Sequence, residues 1–343
     1  MGGIDPNGKA QGVTNVTRFA TVGAGRMGRG IAIAFAYAGH KIALIDLKQR
    51  PQADWQRLQE QARTEIAQSL DALVQLGVLQ AEQASRIAER VQYVGAADAA
   101  AALGHAELVF EGVPETLDAK TDAFAKISAA CGSETIIAST TSSMRVTQLA
   151  ALVSHPGRFL NIHWLNPAYV IPVVELSTHA GTQAAVLARA KALLEGIGKL
   201  PVVCGDSPGY IVPRLQALIM NEAARLIEEG AASAEEIDKA TRYGLGLRFA
   251  ALGVVEFIDF GGADILHHAS REMSASIDPA RYRAPAILER LIANGQLGLK
   301  TGSGFYDYQD RDIPAYRADV LSRTLGMHKH AGLWTAACDD TID

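Results

Sequence analysis

"RFATVGAGRMGRG", Arg18 to Gly30, sets Gly23, Gly25 and Gly28 in the order G-x-G-x-x-G directly after a short β-rich run. An alanine-rich helical pattern, "RGIAIAFAYAG", follows at once. In that setting the first glycine permits a tight turn, the second lets backbone approach a pyrophosphate, and the third lets the helix pack on the strand. The helix N-terminus then faces the phosphates. Arg26 and Met27 complete the loop. Asp46 ends the next apolar run, "KIALIDL", eighteen residues after Gly28, where a carboxylate accepts hydrogen bonds from an adenosine ribose. The same charge would repel a 2′-phosphate, so NAD is expected rather than NADP, with Lys48 as the opposing influence.

Outward from this loop, short β-rich runs alternate with helical patterns, the signature of a doubly wound α/β sheet covered by helices. Further strands are expected in "VQYVG", "AELVFEG", "ETIIAST", "RFLNIHW", "VIPVVELST" and "KLPVVCG". Between the second and third runs, Ala53 to Glu89 reads as two amphipathic helices broken near Gly77. From Ser207 onward only helical spacing remains, as in "GYIVPRLQALIMNEAARLIEEG". Ser233 followed by Glu236 predicts a capping box at the start of one of those helices. The expected division is a flexible leader over residues 1–16, a sheet domain over 17–206, an all-helical domain over 207–308 and a polar extension over 309–343 with isolated apolar anchors such as Trp334.

Composition narrows the function classes. The chain has 343 residues, 48% of them hydrophobic, enough for two buried cores. A net charge of −5 offers no broad basic face for nucleic acid or an anionic membrane. No apolar run approaches the roughly 20 residues that span a bilayer, and the N-terminal residues lack the hydrophobic centre of a signal peptide. Gly2 follows Met1 as in a myristoylation site, but Pro6 stands where Ser or Thr is wanted. A soluble cytoplasmic protein is expected. Cys131, Cys204 and Cys338 show no metal or redox spacing, so they read as buried free thiols and no metal is expected.

"NIHWLNPAYVIPVVEL" places Glu175 twelve residues after His163. If the chain turns at Asn166-Pro167 and returns as a strand, the carboxylate lies beside the imidazole. Such a pair suits proton transfer from an alcohol, because the carboxylate fixes the tautomer and stabilises the imidazolium. Taken alone, a single histidine at a core edge is a hydrogen-bonded structural residue. Its combination with the hydroxyl-rich turn "STTSSMRVTQL", at the carboxyl edge of the sheet where doubly wound folds bind substrate, turns the reading toward catalysis. Ser142 and Ser143 are by default caps for the helix that follows; one can cap while the other reaches a ligand.

The ordered motifs "VGAGRMG", "FEGVPETLDAK", "STTSSMRVTQLA", "HWLNPAYVIPVVEL", "DSPGYIVPRLQALIMNEAARLIEEG" and "GLKTGSGFYDY" resemble the 3-hydroxyacyl-CoA dehydrogenase family, including its bacterial 3-hydroxybutyryl-CoA members. The likeness runs from about Thr17 to Tyr308. It implies a Rossmann-type sheet domain followed by an all-helical C-terminal domain, and oxidation of a 3-hydroxyl to a 3-keto group with hydride passing to NAD. It further implies substrate contact at Ser142, a general base at His163, an orienting carboxylate at Glu175, cofactor contacts at Glu115 and Lys120 near the nicotinamide, and a homodimer.

Two departures bear on the substrate. The family's G-F-x-x-N-R asparagine is replaced by Pro213 in "GYIVPR", which leaves Asn166 or a water to meet the substrate. The lysine cluster that holds coenzyme A phosphates is missing from "SLDALVQLGVLQ", leaving Arg57, Arg63, Arg86 and Arg90 as the nearby cations. Relatives that oxidise free hydroxy acids, such as L-gulonate and L-carnitine dehydrogenases, need no such cations, and "YGLGLRFAALG" is similar to that branch. "GLKTGSGFYDY" is typical of the thioester branch. The expectation is an acyl-CoA thioester, with a free 3-hydroxy acid as alternative and an inactive dinucleotide-binding structural protein as a third reading.

Overall fold

Four-residue runs such as "FATV", "IALI" and "LVFE" are buried at every position, the pattern of parallel strands covered on both faces. The computed structural model describes residues 18–334. The leader over residues 1–16, Cys338 and the tail over 335–343 lie outside the described residues. Eight strands form one sheet: β1 (Phe19–Val22), β2 (Ile42–Ile45), β3 (Val91–Val94), β4 (Leu108–Glu111), β5 (Ile136–Ser139), β6 (Phe159–Trp164), β7 (Val173–Ser177) and β8 (Leu200–Cys204). Their order is β3-β2-β1-β4-β5-β6-β7-β8. All neighbours are parallel except β6 and β7, which run antiparallel. Every strand lies in a run singled out from the sequence.

The helices α1 (Arg26–Tyr37), α2 (Gln52–Gln75), α3 (Ala81–Glu89), α4 (Ala99–Gly104), α5 (Leu117–Ala130), α6 (Val146–Ala150) and α7 (Ala184–Glu195) connect the strands. One core layer joins Phe19, Phe110 and Ile162 to residues of α1, α2, α3 and α7. The opposite layer joins Ala20, Val22, Val109 and Phe159 to α4, α5 and α6. Alternate residues of one strand thus serve opposite layers. The break near Gly77 falls where expected, between α2 and α3.

After β8 come α8 (Val212–Glu228), α9 (Ala234–Lys239), a π-helical stretch (Ala240–Gly246), α10 (Leu247–Ala251), α11 (Val254–Gly261), α12 (Ala263–Ser276), α13 (Pro279–Tyr282), α14 (Ala286–Ala293) and α15 (Ile313–His330). Two compact units divide the chain between Ile219 and Met220, inside α8. Ser233 caps α9 by accepting the Glu236 N–H at 3.3 Å, whereas the Glu236 carboxylate pairs with Lys239 at 2.7 Å. A reciprocal box with correct geometry forms instead at Gln80 and Gln83, opening α3.

In the second unit, Leu252, Leu299, Tyr308, Tyr316 and Val320 form a small core. Part of the extension expected to be polar with isolated apolar anchors is the eighteen-residue α15, whose buried residues are Tyr316 and Val320. Its Asp312 caps the helix by accepting the Ala315 N–H. Among the described residues no helix is long and apolar enough to cross a membrane.

Candidate active site

The glycine loop divides its labour by space as well as by backbone angle. Gly23 has φ +108°, and a Cβ there would strike the carbonyl of Gly112, which follows β4. The sheet order reverses between β1 and β4, so this contact marks the switch point where doubly wound sheets bind ligands. A Cβ at Gly28 would collide with the Gly23 carbonyl, so α1 packs against its own loop. Nothing lies within 4 Å of a Cβ built on Gly25. Gly25 is the N-cap of α1 with no side chain capping it, so the first-turn N–H groups remain for an anion.

A cleft of about 480 Å³ opens over the loop, lined by Gly23, Gly25, Asp46, Lys48, Arg50 and Val113 among others. Asp46 is 7% exposed and accepts the Lys48 N–H at 3.2 Å; the Arg50 guanidinium also pairs with it. Open backbone, uncapped helix and ribose-facing carboxylate suit a dinucleotide. Arg26 is exposed on the first turn, while Met27 packs on the core below.

His163 and Glu175 are direct partners across β6 and β7. The antiparallel return after Asn166-Pro167, as anticipated, brings the imidazole Nδ1 to 2.9 Å from Glu175 Oε2. A carboxylate accepts, so Nδ1 is the donating nitrogen and, in the neutral imidazole, Nε2 carries the lone pair. Pairing of β5 with β6 ends at Asn161, so His163 stands past the carboxyl end of β5. Glu175 is fully buried, and its second oxygen accepts the N–H groups of Ile211 (2.9 Å) and Val212 (2.8 Å) at the start of α8. Burial pushes this carboxyl up, but the hydrogen bonds from His163, Val212 and Ile211 outweigh it and hold it below the usual carboxylate range. Pro213 follows in the first turn of α8, where a missing N–H costs little.

Glu115 gathers the hydroxyl turn. Its Oε1 accepts Ser142 N–H (3.1 Å), Ser143 N–H (3.3 Å) and Ser143 Oγ–H (2.9 Å), and Thr141 Oγ–H also donates to it. Burial raises this carboxyl, yet Thr141, Lys120 and Ser143 together hold it below its ordinary value. The expectation that Ser142 or Ser143 caps the next helix is corrected: Arg145 is the N-cap of α6 and no side chain caps it. The turn is folded onto Glu115 instead, leaving Ser142 exposed.

Lys120 is 1% exposed and held by Glu111 (3.0 Å to both oxygens) and by Glu115 (3.1 Å). Its ammonium is enclosed between carboxylates, so it positions Glu115. Glu111, fully buried, also accepts from Ser139 Oγ at 2.6 Å and was not singled out from the sequence, where it reads as one more strand residue. Tyr210 was missed as well; only its place after Ser207-Pro208-Gly209, a turn signal, hinted at it. Asn166 is exposed on the turn after β6.

Residues 18–207 match the family described as "3-hydroxyacyl-CoA dehydrogenase, NAD binding domain", and residues 209–308 match "3-hydroxyacyl-CoA dehydrogenase, C-terminal domain". The chain belongs to the 3-hydroxyacyl-CoA dehydrogenase family. As a member it is an NAD-dependent oxidoreductase with NAD as its cofactor. It is 30% identical over 315 residues, 92% of this chain and 98% of the relative, to 5-formyl-3-hydroxy-2-methylpyridine 4-carboxylate 5-dehydrogenase of Mesorhizobium japonicum. Human mitochondrial hydroxyacyl-coenzyme A dehydrogenase is 32% identical, with 86% of this chain and 92% of the relative covered. The crystal structure of a 3-hydroxyacyl-CoA dehydrogenase from Archaeoglobus fulgidus aligns with TM-score 0.72 at 27% identity, over 92% of this chain and 99% of that one.

Proposed function

We propose that this dehydrogenase oxidises the 3-hydroxyl of an L-3-hydroxyacyl-CoA thioester to the ketone, with His163 as general base. The observation that carries the reading is the buried His163–Glu175 pair, in which the carboxylate engages Nδ1 and leaves Nε2 as the imidazole nitrogen to meet an alcohol. When bound, NAD would supply the hydride acceptor for C3. His163 removes the hydroxyl proton at Nε2, Glu175 balances the imidazolium, and the Ser142 hydroxyl turns the substrate toward it. Gly23, Gly25 and Asp46 hold the dinucleotide, and Glu115, braced by Lys120, keeps the serine turn fixed.

A second reading, a free hydroxy acid, has specific support. Three of the four arginines that would meet coenzyme A phosphates are engaged elsewhere. Arg57 pairs with Asp54, Arg63 stacks 4.7 Å over Tyr93, and Arg90 donates to the Ala36 carbonyl at 2.9 Å. The motif "GLKTGSGFYDY", which favoured a thioester, has a structural task of its own. It wraps the fully buried Asp259, whose carboxylate accepts Phe305 N–H (3.0 Å), Tyr306 N–H (2.8 Å) and Tyr308 O–H (3.3 Å). The Mesorhizobium relative is named for a pyridine carboxylate rather than a thioester.

Steady-state NAD reduction decides between them. Turnover of (S)-3-hydroxybutyryl-CoA, with free 3-hydroxybutyrate, L-carnitine and L-gulonate at background, is the expected result. Background rates with the thioester and turnover of a free acid would replace the first reading by the second. Tight NADH binding with no turnover of any of them would leave only a dinucleotide-binding role.

A further inference from the structure

Tyr210 has a backbone that a bulky side chain seldom adopts. Its φ is +47°, in the left-handed region, and it is the one non-glycine residue with positive φ among those described. Such a conformation persists where surrounding contacts over-determine it, and here they do. The side chain is 5% exposed. Its ring stacks on the His163 imidazole with centroids 4.6 Å apart and planes inclined by 11°. The hydroxyl donates to the Thr141 carbonyl at 2.8 Å and accepts from Asn161 Nδ2 at 3.1 Å. The next two residues supply the N–H groups that Glu175 accepts.

Two buried networks meet at this side chain. On one side Lys120, Glu111, Glu115 and Thr141 hold the serine turn. On the other, His163, Glu175 and the start of α8 hold the base. Asn161 tightens the junction by donating also to the Met144 carbonyl at 3.1 Å. Ser142 sits next to Thr141 and His163 lies two residues beyond Asn161, so the phenol spans the two groups that an alcohol must meet together. Burial pushes the Tyr210 ionisation well above the usual tyrosine range, so its hydroxyl remains a neutral donor at working pH.

We propose that Tyr210 is a positioning residue, a strut whose hydroxyl fixes the serine turn and whose ring face fixes the plane of the His163 imidazole. The proposal rests on the dehydrogenase reading for its kinetic consequence, while its geometric part stands without it.

The test uses the full chain and two variants. Tyr210→Phe keeps the ring and removes the hydroxyl. It is expected to lower kcat/KM roughly three- to tenfold, the equivalent of one net hydrogen bond, mostly in KM for the hydroxy substrate, with NADH affinity unchanged. Tyr210→Leu removes the ring as well and is expected to lower kcat further. A double-mutant cycle of Tyr210→Phe with Asn161→Ala should be non-additive, since both act through one hydrogen bond. Independently of turnover, the His163 Cε1–H resonance, assigned by its loss in His163→Gln, should carry an upfield ring-current shift in the wild type and in Tyr210→Phe that vanishes in Tyr210→Leu. Wild-type turnover matched by Tyr210→Phe, or a His163 resonance free of ring-current shift, would overturn the strut. A wild type inert to all hydroxy acids yet showing the shift would overturn the activity and leave the geometry standing.

Discussion

At the scale of single residues, the site is a question of which carboxylate faces which partner. On the proposed mechanism, His163→Ala removes the nitrogen that takes the alcohol proton, so hydride transfer should slow by roughly 100- to 10,000-fold. NADH affinity should hardly change, because the imidazole lines none of the dinucleotide cleft. Stopped-flow NAD reduction beside a fluorescence titration measures both; unchanged turnover would end the assignment of base. Glu175 has a dual load, bracing His163 and receiving two backbone N–H groups at the start of α8. A carboxyl held below its unfolded value stabilises the fold above that value, about pH 4, and gives up the contribution as pH falls through the lowered folded value. The wild type should thus lose stability on acidification from that source, and Glu175→Gln should be less stable at neutral pH but show a shallower decline into acid. Urea midpoints at neutral pH and on the acid side test this, and parallel declines in the two proteins would contradict it. The pairing itself was legible in the sequence, because a return through Asn166-Pro167 between two antiparallel strands sets residues twelve apart, His163 and Glu175, opposite each other. Glu111 and Tyr210 were not legible: a buried carboxylate at a strand end looks like any polar residue that closes a strand, and stacking depends on a φ that spacing does not encode.

At the scale of elements, the strand–loop–helix unit of β1 and α1 separates two jobs that a motif reading merges. Gly28 is needed by the fold, since a Cβ there meets the Gly23 backbone carbonyl. Gly25 faces open space, so a methyl group costs the empty protein little and is felt only when a pyrophosphate approaches. Gly28→Ala is therefore expected to destabilise the protein by about 1–3 kcal/mol, whereas Gly25→Ala should keep the wild-type melting temperature and bind NADH more weakly. Thermal melts with and without NADH separate the two; equal loss of stability in both variants would refute the division. The eight strands were readable because each is a short apolar run bounded by turn residues. The serine turn was misjudged because serine before a helix is ordinarily a cap, and only the fold brings Glu115 close enough to outbid the helix for those hydroxyls. α15 escaped notice for a related reason: two buried residues, Tyr316 and Val320, hold eighteen, too sparse a stripe for periodicity to reveal.

At the scale of the whole molecule, α8 carries a run of exposed apolar residues. None of its residues is buried, and Leu215, Leu218, Ile219, Met220 and Ile227 are exposed, Leu218 by 64% and Met220 by 61%. A helix apolar on several faces gains nothing by standing in water, and contiguous patches of this kind mark association sites. The acidic net charge disfavours an anionic membrane or nucleic acid as the cover, and a closed pair of identical chains can bury one such helix against its twin about a twofold axis. We propose a homodimer built on α8. Burying both copies would have to remove at least about 1,000 Å² for a lasting interface, which a seventeen-residue helix and its flanking side chains can supply. Light scattering at micromolar concentration should give twice the chain mass, and Leu218→Glu, which sets a charge in the middle of the patch, should give the monomer mass with far-UV circular dichroism preserved. A wild type already monomeric at that concentration, or a Leu218→Glu protein still dimeric, would move the interface off this helix and require another explanation for its exposed leucines.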